Sequence, residues 1–96
     1  MLTETEQQLL NAVGQRIRAI RAQQSLNLDQ LARLTGISAP ALSLIETGKR
    51  DARLTTLAKI AAALRVALSA LLEDPSPSPD AGARDASQGY DLGDYR

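Results

Sequence analysis

The sequence predicts an all-α fold: a compact bundle of four or five helices followed by a disordered C-terminal tail. Three observations predict it. Apolar residues recur at helical spacing along most of the chain up to Leu72. The core must be aliphatic, because Phe and Trp are absent and the only tyrosines, Tyr90 and Tyr95, stand near the end. Close helix packing suits a core of Leu, Ile, Val and Ala. Composition then changes abruptly: Pro75, Pro77 and Pro79 alternate with Ser, and the remainder is polar and acidic. Residues 75–96 cannot bury enough apolar surface to offset their ordering entropy. The expected division is a folded domain over 1–74 and a disordered acidic tail over 75–96.

Each element has a local reason. A first helix is expected from near Thr5 to about Gln23, with Leu9, Leu10, Val13, Ile17 and Ile20 on one stripe. Gly14 interrupts that stripe at a cost on the order of 1 kcal/mol relative to Ala, and a glycine there lets a neighbouring helix approach. Asn27 is a good N-cap, and Gln30 completes a capping box three residues later. The second helix then runs from Leu28 to about Thr35, with Leu28, Leu31 and Ala32 on one face. Gly36 supplies a left-handed turn that a side chain would resist. Ser38 caps a third helix, with Pro40 in its first turn where no amide donor is missed. Leu42 and Ile45 form its apolar face, and Gly48 ends it.

Two short amphipathic helices meeting at Thr35-Gly36-Ile37-Ser38 form a helix-turn-helix pattern, whose second helix most often enters the DNA major groove. After the loop Lys49–Arg53, Thr55 or Thr56 is expected to cap a fourth helix carrying Leu57, Ile60, Ala61 and Leu64. Leu68, Leu71 and Leu72 then allow two outcomes. They continue the stripe of the fourth helix, with no Gly or Pro to break it, or they form a short fifth helix.

Composition excludes several kinds of chemistry. Without cysteine there is no disulfide framework or thiolate metal site. Without histidine the commonest general base and transition-metal ligand is missing. No Gly-rich phosphate loop or carboxylate cluster is present either, so neither an enzyme, a metal nor a cofactor is expected. The apolar runs are too short for a bilayer, and the acidic start lacks the basic residues of a secretory signal. A soluble cytoplasmic protein follows as the expectation.

The net charge of zero conceals a partition. Between Gly14 and Arg65 the bases Arg16, Arg18, Arg21, Arg33, Lys49, Arg50, Arg53, Lys59 and Arg65 face only Asp29, Glu46 and Asp51. From Asp74 onward the acids Asp74, Asp80, Asp85, Asp91 and Asp94 face Arg84 and Arg96. A basic domain suits a phosphate-bearing partner.

Four blocks in order resemble a known family: VGQRIRAIR at 13–21, LARLTGIS at 31–38, LSLIETGK at 42–49 and LTTLAKIAAAL at 54–64. Together they look like the phage-repressor and Cro type of helix-turn-helix domain, also called the xenobiotic-response-element family of bacterial regulators. The resemblance covers roughly residues 13–73. It implies a lambda-repressor-like domain of five helices, and so favours a break between the fourth and the fifth. It also implies a homodimeric, sequence-selective DNA-binding transcriptional regulator, a repressor, on double-stranded DNA. Some members are antitoxins that bind a toxin protein as well as their operator, and that alternative stays open here.

Carried over by position, Ser38, Ala39, Pro40, Ser43 and Leu44 fall at the base and groove contacts. Asn27, Lys49, Arg50 and Arg53 fall at phosphate contacts. Arg21 and Glu46 match a recurrent pair that braces the reading helix. Leu54, Val66 and Leu68 are candidates for the dimer interface near the last two helices. The chain departs from the family in its reading residues, where Ala39, Pro40 and Leu44 replace the usual Gln, Arg, Lys, Asn or Thr. Arg65 and Ala67 likewise replace a frequent Gly and a capping Ser. Bidentate reading of guanine or adenine needs Arg, Lys, Asn or Gln, and none lies between Ser38 and Thr47. Leu44 either packs against a loop or meets a thymine methyl or a protein partner. Residues 87–96 either solubilise the chain or order on a protein partner.

Overall fold

Thr3 starts the first helix. Its Oγ1 accepts from the Glu6 amide at 3.0 Å, and its own amide donates to Glu6 Oε1 at 2.9 Å. This capping box satisfies two otherwise orphaned donors and fixes the start of α1 (Glu4–Gln23), near Thr5 as expected. The computed structural model describes residues 1–73. The remaining helices are α2 (Leu28–Thr35), α3 (Ala39–Glu46), α4 (Leu54–Leu64) and α5 (Ser69–Leu72). The proposed boundary at residue 74, the disordered tail and the partner segment 87–96 lie outside the described residues.

One aliphatic cluster holds the helices together. Ile17, Leu31, Leu42, Ile60, Leu64 and Leu71 are fully buried, so every helix contributes a side chain to the centre. Burying each such side chain is worth roughly 1.5–3 kcal/mol, and this outweighs the weak tendency of an eight-residue helix such as α2 or α3 to form alone. Val13, Ile45, Leu57 and Ala61 complete the cluster. The stripe expected on α1 is only partly used: Leu9 is 53% exposed, and Leu10 is half-buried. The stripe's periodicity is intact there, but the core extends only as far along α1 as Val13.

α1, α3 and α4 end in the same way. Within two residues of each helix end the chain adopts a left-handed conformation: at Ser25 (φ 59°), Gly48 (φ 74°) and Arg65 (φ 61°). In each case the next amide reaches back five residues: Leu26 to Arg21, Lys49 to Leu44, and Val66 to Ala61. This is the Schellman arrangement, in which glycine usually occupies the left-handed position. Gln24 Nε2 also donates to the Leu64 carbonyl at 2.6 Å, satisfying one of the last acceptors of α4.

The break between α4 and α5 therefore forms without glycine or proline. The turn brings Leu71 into the core and lays Val66 and Leu68 against it. The continuous helix allowed by periodicity is not adopted. The expected cap of α4 also needs correction. Neither Thr55 nor Thr56 caps it; the helix begins at Leu54, and Arg53 occupies the cap position without a side-chain hydrogen bond.

Candidate nucleic-acid interface

The helix-turn-helix forms as its local signals require. Asn27 Oδ1 accepts from the Gln30 amide at 2.7 Å, and Gln30 Oε1 accepts from the Asn27 amide at 2.8 Å. Gly36 closes α2 at φ 77° with its amide on the Ala32 carbonyl. Thr35 Oγ1 donates to the Leu31 carbonyl at 2.8 Å and accepts from the Ile37 amide at 3.1 Å, which stiffens the turn. Ser38 Oγ then accepts from the Ala41 amide at 3.2 Å, and Pro40 sits in the first turn of α3.

The orientation of α3 is held from α1. Arg21 and Glu46 form a fork in which Nε donates to Oε2 at 2.7 Å and a terminal amine donates to Oε1 at 2.9 Å. The other terminal amine donates to the Leu26 carbonyl at 2.8 Å. Bidentate charge-assisted bonds are both strong and directional. The side chains are 14% and 5% exposed, so the pair is poorly reached by water. Its hydrogen bonds to Glu46, aided by the opposite charge, raise the Arg21 pKa above its ordinary value against the desolvation of burial.

Gly14 faces the carbonyls of Ile45 and Glu46 across the helix crossing. A Cβ at this position would lie 2.6 Å from the Ile45 oxygen and collide with the Glu46 oxygen as well. Gln7 Nε2 donates to the Gly48 carbonyl at 2.8 Å. Thus Gln7, Gly14 and Arg21, each seven residues from the next, all meet the C-terminal end of α3. Gln7 and the close approach at Gly14 were not assigned to the site by sequence reasoning. The glycine interrupting the apolar stripe of α1 signals that a helix can come close, but not which one; Gln7 carries no local signal, because its partner is 41 residues away.

The surface residues divide into an uncharged helix and a charged loop. On α3, Pro40 is exposed, whereas Ala39, Ser43 and Leu44 are half-buried. The only ionisable residue of that helix is Glu46, which is buried. Lys49, Arg50 and Arg53 are exposed on the following loop, which Ala52 anchors by packing against the core. A surface groove of about 300 Å³ separates the loop from the helix-turn-helix. Arg50 and Arg53 line it together with Ile37, Ala41 and Ile45, so both arginines stand beside α3. Asn27 is exposed at the start of α2, its oxygen committed to the cap.

The dimer candidates are less uniform. Leu54 is 63% exposed, but Val66 and Leu68 are half-buried against the core. Leu9 and Leu72 are also exposed, and they border a second apolar depression of about 110 Å³ with Leu10, Val13 and Leu57. Among the described residues no group of His, Cys, Asp and Glu could hold a metal ion, and no helix is long and apolar enough to cross a membrane.

Two short helices at a glycine turn, with the second braced from behind and flanked by exposed cations, define a helix-turn-helix domain. The chain belongs to the helix-turn-helix family of the Cro/C1 type, whose model matches residues 17–71. It is 36% identical over 64 residues to the HTH-type transcriptional repressor RghR of Bacillus subtilis (strain 168), covering 66% of this chain and 47% of that protein. It is 35% identical over 85 residues to the HTH-type transcriptional regulator RghRB of the same organism, covering 84% of this chain and 60% of that one. The chain thus spans about half the length of these curated relatives.

Among solved structures, the restriction-modification controller protein C.AhdI from Aeromonas hydrophila superposes with a TM-score of 0.63 at 32% identity, covering 65% of this chain and 94% of that one. A hypothetical transcription factor, NHTF, from Neisseria gives 0.68 at 31% identity, covering 78% of this chain and 85% of that one. These relatives are transcription regulators rather than enzymes.

Proposed function

We propose that the chain is a DNA-binding transcription regulator that acts as a homodimer and represses the promoter it occupies. The observation that carries this reading is the α2–turn–α3 unit braced by Arg21 and Glu46, with Arg50 and Arg53 beside the second helix. In this arrangement α3 enters the major groove. Lys49, Arg50, Arg53 and the exposed N-terminus of α2 at Asn27 meet phosphates, which supply affinity but no sequence information. Ser38, Ala39, Pro40, Ser43 and Leu44 meet the groove. Leu54, exposed at the start of α4, with Val66 and Leu68 nearby in sequence to α5, contributes to the contact between subunits. The names of the relatives, one a repressor and one a controller protein, support regulation over a toxin-binding role.

Selection of bound sequences from a randomised duplex pool tests the reading directly: enrichment of a two-part, pseudo-palindromic site is expected. Absence of any DNA binding overturns it. Arg50→Ala should make the dependence of log affinity on log salt shallower by about one, as expected for the loss of one phosphate contact. An unchanged slope removes Arg50 from the interface.

A further inference from the structure

The polar groups of α3 are largely committed within the protein. Ser38 Oγ accepts from the Ala41 amide and keeps only its O–H to donate, and Pro40 has no amide hydrogen to offer. The Thr47 hydroxyl donates to the carbonyls of Ser43 at 2.8 Å and Leu44 at 3.3 Å. Glu46 accepts both bonds of the Arg21 fork. The Ser43 hydroxyl is the one side-chain group on this helix without a hydrogen-bond partner among the described residues.

The remainder of that surface is apolar. Residues 40, 43, 44 and 47 follow the spacing of one helical face, while Leu42 and Ile45 are buried in the core. Leu44 is half-buried yet belongs neither to the core nor to the side chains packed against it. The face therefore presents a proline ring, a leucine, a threonine whose hydroxyl is turned to its own helix, and one serine.

In the major groove, base pairs differ in their donors and acceptors and in one apolar feature, the C5-methyl of thymine. A face with a single free hydroxyl matches that feature and little else. We propose that α3 reads its DNA through thymine methyl groups packed against Pro40 and Leu44. This rests on the placement of α3 in the major groove proposed above. The ligand class is a B-form duplex whose half-sites present thymine methyls where those side chains lie. The Ser43 hydroxyl adds one hydrogen bond, and the loop cations add affinity independent of sequence.

The test uses the full chain and the duplex enriched from a randomised 20-base-pair pool. Thymines are replaced one at a time by deoxyuridine, which removes the methyl and keeps the pairing and the O4 acceptor. Affinity is expected to fall about fourfold at each contacted thymine, the equivalent of about 0.8 kcal/mol for one buried methylene. The salt slope should stay unchanged, because no phosphate contact is lost. In Leu44→Ala and in Pro40→Ala, the deoxyuridine penalty should vanish at the thymine each side chain covers. Circular dichroism and melting curves confirm that each variant folds, and the deoxyuridine series on the unaltered protein decides the main point without them.

Full retention of affinity on an enriched duplex carrying only deoxyuridine overturns methyl reading while leaving the proposed function standing. A penalty that persists undiminished in both folded variants overturns the assignment to Pro40 and Leu44, as it would if Leu44 served a protein partner instead. Binding without any enrichment overturns sequence-selective reading altogether.

Discussion

Replacing Gly14 by Ala sets two effects of opposite sign against each other. In an open helix, Gly→Ala is stabilising by about 1 kcal/mol. Here the new methyl would lie 2.6 Å from the Ile45 carbonyl oxygen, whereas a relaxed carbon–oxygen contact is about 3.3 Å. The α1–α3 crossing must open by at least the difference, about 0.7 Å, because the Glu46 oxygen lies closer still. The obstacle is backbone, which cannot swing aside as a long side chain can. A radial gap of about 0.5–1 Å forfeits a quarter to a half of the dispersion energy of each contact it opens. It would also stretch the Arg21–Glu46 fork at the same crossing.

Overpacking of this kind costs typically about 1–3 kcal/mol, and the backbone obstacle places Gly14→Ala in the upper part of that range. After the gain in helix propensity, a net loss of about 1–2 kcal/mol remains. For a domain of this size that lowers Tm by roughly 4–16 °C. Thermal and urea melts measure it. Gly36→Ala is the control: it meets no atom within 4 Å and suffers only its φ of +77°. A Gly14→Ala variant that melts at or above the parent temperature would refute the claim that this crossing has no room.

Removing one partner of the fork isolates its contribution. Breaking a buried pair costs about 3–5 kcal/mol and a surface pair about 0–1 kcal/mol. With side chains 14% and 5% exposed, Glu46→Ala is expected to cost about 2–3 kcal/mol. A double-mutant cycle with Arg21→Met should return most of that as coupling, and a coupling near zero would deny the brace. At the left-handed position after α4, Arg65→Gly relieves a conformation that costs a side chain roughly 1 kcal/mol; a Tm rise of a few degrees is expected, and a fall would point to a role for the side chain itself. For the proposed homodimer, Leu54→Glu is expected to shift sedimentation toward monomer while leaving the melting of the folded unit near that of the parent. No change in mass would remove Leu54 from the interface.

The parts of the fold legible in the sequence were those decided within a few residues. Asn27 with Gln30, Gly36, Ser38 with Pro40, and Gly48 each act on their own helix end, and each stands in its expected role. The start of α1 was legible to within a residue, and the capping-box spacing of Thr3 and Glu6 accounts for it. The start of α4 was not legible, because Arg53 offers no capping bond and the burial of Leu57 and Ile60 sets the phase. The end of α4 was open for a similar reason. Arg65 has no sequence signature for a left-handed turn, and Gln24, which meets the Leu64 carbonyl, is 40 residues away. At the candidate interface the Arg21–Glu46 pair was legible through the family resemblance and forms as implied, but the commitment of the Thr47 hydroxyl to its own helix was not legible.

The contacts of Gln7, Gly14 and Arg21 with the end of α3 carry a consequence in helical phase. Seven residues of α-helix advance the chain by nearly two turns, so three positions at this spacing fall on one seam with a drift of about 20° per step. Each anchor is of a different kind: an amide bonded to a carbonyl, an absent side chain and a charged fork. None can stand in for another. Inserting one residue between Gln7 and Gly14 would rotate the segment before it by about 100° and carry Gln7 off the seam. An insertion between Gly14 and Arg21 would set a side chain of wrong size or charge against α3. A seven-residue insertion would restore the phase but displace the anchors by about 10 Å along the axis. The stretch from Gln7 to Arg21 therefore tolerates substitution on its outer face far better than any change in its length.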